Sequence, residues 1–138
     1  MKNATTTKMM LAAVLLTAAS TVASAQAMKA EIPFAFHAAG KAMPAGVYRV
    51  TAAKAESQFE LVSSNTRDRI LLVPHISQDP QKSWKNGKSG VLQFVCGARG
   101  CALAQIWNYG STSAHVITIP NPAERLGAHV ALIRMVRK

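Results

Sequence analysis

Two cysteines, Cys96 and Cys101, are the only thiols in the chain, and Gly97-Ala98-Arg99-Gly100 separates them. In an oxidising compartment an isolated close pair of this kind forms a disulfide. If residues 91–106 make a hairpin with a four-residue loop, Cys96 stands opposite Cys101 and Phe94 opposite Leu103. Directly opposed residues of an antiparallel pair lie close enough to bridge. A redox couple would call for Cys-x-x-Cys and a helix start to acidify a thiol, and the spacing supplies neither. The bridge is therefore expected to stiffen a hairpin tip that presents Arg99.

A second cluster, Lys82-Ser83-Trp84-Lys85-Asn86-Gly87-Lys88, interleaves three cations with an indole. Ammonium groups bind phosphate, sulfate or carboxylate, and an indole face stacks on a sugar ring or a base. Lys82, Trp84, Lys85 and Lys88, with Arg99, form the candidate polyanion-binding set. The competing reading is a solvated loop with Trp84 folded back on the core. Histidines at 37, 75, 115 and 129 show no His-x-x-x-His and no carboxylate at ligand spacing, so no metal site is expected. The mature chain has no Gly-x-Ser-x-Gly elbow and no Ser-x-x-Lys, and its six acids are scattered singly, so no catalytic set is picked out. No cofactor is expected.

The elements that must carry these groups follow a period of two. Ile32, Phe34 and Phe36 fall on one face of a strand over Glu31–His37, with Pro33 marking an edge or first-strand position. The segment Met43-Pro44-Ala45-Gly46 reads as a tight turn, followed by a strand over Val47–Ala53. Phe59–Ser63 and Arg69–Val73 are two more strands joined by a polar turn, and Ser77–Gly90 reads as a long exposed loop with an Asn86-Gly87 turn signal. Val91–Cys96 and Cys101–Asn108 are apolar at nearly every position, as strands covered on both faces are. His115–Ile119 is another strand, and Asn121-Pro122 opens a helical turn over 121–126. For Val130–Val136 the β-branched content favours strand over helix. The expected fold is all-β: one antiparallel sandwich or small barrel of seven or eight strands. Nothing alternates as β-α units do, which disfavours dinucleotide-binding and P-loop folds.

Residues 1–25 have the order of a secretory leader: Lys2 and Lys8, an apolar run from Met9 to Ala19, then Ala23-Ser24-Ala25. A membrane anchor needs about 20 apolar residues, more than this run offers, and no cysteine near the cleavage point could carry a lipid. Cleavage before Gln26 leaves one domain, 26–138, without a transmembrane segment, exported to the periplasm or beyond the cell. Loss of Lys2 and Lys8 lowers the formal net charge from +10 to +8. That excess favours polyanions, although it also serves to keep a small exported domain soluble.

Several strings in the domain carry a resemblance: Ile32-Pro33-Phe34-Ala35-Phe36, then Gly40-Lys41 and Met43-Pro44-Ala45-Gly46-Val47-Tyr48-Arg49-Val50. They are similar to the opening of small secreted proteins of soil bacteria, which carry an I-P-F-x-F, G-K-x-L-P-A-G-x-Y-x-V pattern after a leader. Leu92-Gln93-Phe94, Leu103-Ala104-Gln105-Ile106-Trp107, Pro120 and Ala123-Glu124-Arg125 extend the similarity in patches across the domain. Met43 stands where the pattern has Leu, and the cysteine hairpin is not part of it. The resemblance implies a β-rich secreted domain and supplies no catalytic residues.

The expected function is non-catalytic binding of an acidic polysaccharide or another envelope polyanion, with no specific nucleic acid as partner. Two alternatives come from other classes. One is an assembly protein that recruits a partner by strand addition at edges near Pro33 and the C-terminus. The other is a small hydrolase or redox enzyme built from residues distant in sequence.

Overall fold

The computed structural model describes residues 27–53, 56–119 and 126–137. The leader expected over residues 1–25 lies outside them, and so does nearly all of the helical turn expected over 121–126. The described residues form two sheets, antiparallel except for one parallel pair in the larger, with one short helical turn, and their inner faces meet in a common core. The all-β expectation therefore holds, in a sandwich-like arrangement.

The smaller sheet orders its five strands β12-β1-β4-β5-β6. Their ranges are β1 Ala27–Ile32, β4 Gly46–Ala53, β5 Gln58–Ser63, β6 Arg69–Leu72 and β12 Val136–Arg137. The larger sheet runs β11-β8-β9-β10-β7, from β7 Ile76–Gln78, β8 Val91–Gly97, β9 Gly100–Trp107, β10 Ala114–Val116 and β11 His129–Arg134. The hairpin β2 Phe36–Ala38 and β3 Lys41–Met43 joins it through a parallel β2–β9 pair. Among the described residues twelve strands thus replace the expected seven or eight, because β2, β3, β7, β10 and β12 are two or three residues long and too short to show a period.

Alternation puts Met28, Ala30, Ile32, Tyr48, Val50, Phe59, Leu61, Ile70 and Leu72 of the smaller sheet against Phe36, Leu92, Phe94, Leu103 and Ile106 of the larger. Burying a side chain of this size stabilises by about 1.5–3 kcal/mol, so this layer dominates the fold. The Tyr48 hydroxyl donates to the Pro44 carbonyl and closes the turn read from the sequence.

The chain changes sheets at two places where one continuous strand was expected. Pro33 cannot donate to a ladder, so β1 stops at Ile32, residues 33–35 cross over, and β2 begins at Phe36 in the other sheet. Ile32 and Phe36 stay buried, while Phe34 is half-buried, its ring 5.0 Å from that of Phe94. Pro33 lies in the crossover itself, between β1, which pairs with β4 along its length and with β12 at Met28 and Lys29, and β2, which lies between β3 and β9. Residues 129–137 repeat the manoeuvre. Met135 turns inward to the core, its N–H bonded to the Gly90 carbonyl at 2.9 Å, between β11 in one sheet and β12 in the other.

The stretch expected as an exposed loop from Ser77 to Gly90 holds more order than its composition suggests. It begins in β7, which pairs with β10, and contains the helical turn α1, Lys82–Lys85. Asn86 is the right-handed C-cap of α1 instead of a hairpin turn residue. The cause is Trp84: fully buried, it makes a small second core with Val91, Trp107 and Ala114, and that apolar gain pins the backbone on both sides.

Candidate functional site

Where this small core meets the C-terminal strands there is a cleft of about 400 Å³. Lys88, Ser89 and Gly90 form one wall, Asn108 to Ser111 another, Met135 and Arg137 a third, and Glu56 also lines the space between them. Each wall is held by identifiable contacts. Arg134 projects from β11 and donates to the carbonyls of Trp84 at 3.0 Å, Ser83 at 3.3 Å and Ser89 at 3.4 Å, so a side chain of a distant strand seats the loop that carries Lys88. Gly90 leaves the space that Met135 and the Trp107 carbonyl occupy; a Cβ there would lie 2.7 Å from each. The turn after β9 is held by Trp107, whose indole N–H donates to the Ser111 carbonyl at 3.0 Å.

Tyr109 sits at the mouth, 47% exposed, its ring edge-on to Trp107 at 6.2 Å. Below it, Glu56 adopts a left-handed backbone with φ 66°, a conformation that costs a non-glycine residue about 1–2 kcal/mol. Its carboxylate is held on three sides. Asn108 Nδ2 donates to Oε1 at 3.0 Å, Ser111 Oγ donates to Oε2 at 2.9 Å, and His115 Nε2 meets Oε2 at 2.9 Å. Burial pushes the Glu56 carboxyl up, but the hydrogen bonds it accepts from His115, Asn108 and Ser111 outweigh it and hold the group below its ordinary range. The other imidazole nitrogen, Nδ1, is 3.2 Å from Ser77 Oγ on β7. The Phe59 ring lies 5.2 Å from the imidazole and limits its movement.

The structure separates the residues picked from the sequence. Lys82 and Lys85 are exposed on α1, and Lys88 lines the cleft. Trp84 cannot stack on a ligand, because its indole is buried beside Trp107; Tyr109 offers the exposed aromatic face in its place. Arg99 lies in the turn beyond β8, a seven-residue strand that rises about 3.3 Å per residue, and so about 20 Å from the cleft. Cys96 and Cys101 are bonded, directly opposed and 3.9 Å apart at Cα. Gly97 pairs with Gly100, which shortens the tip to the two residues Ala98-Arg99 instead of four.

Glu56, His115, Ser77, Tyr109, Ser111, Arg134 and Arg137 were missed. They come from separate turns and strands, and only the aromatic run ending in Tyr109 could have flagged any of them. No group of three metal-ligating side chains occurs among the described residues. A second cleft, about 430 Å³ on the outer face of the larger sheet, is lined mainly by apolar and amide side chains such as Ile76, Val95, Gln105 and Val130. No Lys, Arg, Asp or Glu lines it. Among known proteins no family model, no curated protein and no solved structure matches the chain.

Proposed function

We propose that the protein is an exported binding domain for an acidic polysaccharide, and that Lys88, Arg137 and Tyr109 form the contact surface, flanked by Lys82 and Lys85. The observation that carries this reading is the cleft itself, where two cations and an exposed aromatic ring converge and the single carboxylate, Glu56, is already engaged by three side chains. Cations at the rim attract carboxylate or sulfate groups, a phenol face takes a sugar ring, and Ser89 and Ser111 add hydroxyls. Export is the compartment of this reading; the Cys96–Cys101 bond is compatible with it.

The test is retention on immobilised heparin and polygalacturonate across a salt gradient. Wild-type protein should elute late, and the Lys88→Ala/Arg137→Ala double variant much earlier, because screened Coulomb attraction supplies most of the affinity. Arg99→Ala should elute close to wild type. Equal retention of the double variant removes the cleft from the proposal. Equal retention of all variants on DNA-cellulose and on polygalacturonate would reduce it to unspecific charge.

A further inference from the structure

The Glu56–His115–Ser77 chain has a consequence independent of glycan binding. An ionised carboxylate only accepts hydrogen bonds, so the imidazole nitrogen beside it, Nε2, must carry a proton. In the neutral ring that leaves the lone pair on Nδ1, which faces Ser77 Oγ at 3.2 Å. The hydroxyl belongs to an exposed residue, whereas His115 is only 8% exposed. A hydroxyl within reach of a base whose other nitrogen is fixed by an acid is the arrangement that activates a serine, here with the two ring nitrogens exchanged relative to serine proteases.

We propose that Ser77, His115 and Glu56 form an acyl-transfer centre acting on small, unhindered carboxylic esters. Ser77 Oγ attacks the ester carbonyl while its proton passes to His115 Nδ1. The bond from the carbonyl carbon to the alkoxy oxygen breaks, and the leaving alcohol takes that proton. Water then attacks the acyl-serine, gives a proton to Nδ1, and releases the carboxylic acid as Ser77 Oγ is reprotonated. Ser77 and His115 are the catalytic residues; Glu56 is a positioning residue that fixes the ring. As the last strand of its sheet among the described residues, β7 leaves amide N–H groups on its open side as donors for the carbonyl oxygen. Ser77 lines neither of the two clefts described above, and its exposed hydroxyl suits a short, unhindered acyl group.

Hydrolysis of p-nitrophenyl acetate and labelling by a fluorophosphonate test the centre on the whole folded protein. The expected result is one adduct, mapped to Ser77, and acetate-ester hydrolysis that falls to the solvent rate in Ser77→Ala and by about 10²-fold in His115→Asn. Ser77→Ala changes an exposed residue and should keep the wild-type melting temperature, so its loss of activity cannot come from unfolding. Ser64→Ala, at an exposed serine of the β5–β6 turn, should react as wild type does. For Glu56, nitrogen-15 NMR should show His115 protonated at Nε2 in the wild type and a mixture of tautomers in Glu56→Gln, with kcat reduced and KM unchanged. An adduct on another residue, or Ser77→Ala hydrolysing at the wild-type rate, overturns the proposal.

Discussion

Two basic turns of this protein, the segment 82–89 and the tip at Ala98-Arg99, look alike as sequence and are built in opposite ways. The tip is closed by its own flanks: Cys96 faces Cys101, Gly97 faces Gly100, and the register follows from the two strands beside it. Segment 82–89 is held by groups far along the chain. Trp84 is buried with Trp107 and Ala114, and Arg134 donates to three of its carbonyls. The difference explains why one turn presents a lone cation while the other becomes the wall of a cleft. A turn closed locally keeps its side chains outside, whereas one closed by tertiary contacts gains neighbours.

Removing the buried anchor should affect the molecule most. Trp84→Ala empties the small core and should cost about 3–5 kcal/mol in thermal or denaturant unfolding, with amide exchange of residues 82–90 rising before that of β8. Next comes the local closure. Cys96→Ser/Cys101→Ser releases a loop of only a few residues and should cost about 2 kcal/mol by chain entropy, leaving retention on heparin unchanged. A loss as large as that of Trp84→Ala would erase the contrast between the two turns.

Arg134→Met should cost about 1 kcal/mol, since its hydrogen bonds are partly exposed. It should nevertheless lower retention on heparin, because Lys88 loses its seat. The smallest effect concerns acid. The folded-state pKa of Glu56 lies below the usual carboxyl value of 4.5, so its contribution is present above that value and is lost as pH falls through the lower folded pKa. Glu56→Gln should therefore be less stable than wild type at neutral pH and should approach it in acid, as followed by melting temperature against pH. The tip contains no acid and should show no such dependence.

Much of the fold was legible because short-range patterns report it. Alternation at Val47–Ala53 and Phe59–Ser63, the turn at Pro44-Ala45-Gly46 and the opposed cysteines each place a strand or a reversal that the structure contains. Strand was also the correct choice for most of Val130–Val136. The cleft was not legible. Glu56, Lys88, Tyr109 and Arg137 lie in four separate stretches, and nothing in their spacing announces that β12 closes against β1 beside the turn after β9. Trp84 could be read both as a ring for stacking and as a ring folded back on the core, and burial decides for the second: a run of polar neighbours describes the backbone they sit on, while one indole with a matching pocket overrides them.

By itself the sequence determined the period-two strands, the disulfide hairpin and the positive charge, each a property of neighbouring residues or of composition. Only the tertiary structure decided where the chain changes sheets, which aromatic ring faces water, and that a carboxylate, an imidazole and a hydroxyl, separated in turn by 59 and 38 residues of chain, stand in line. Those outcomes depend on which surfaces are buried together, and burial is a property of the assembled sheets.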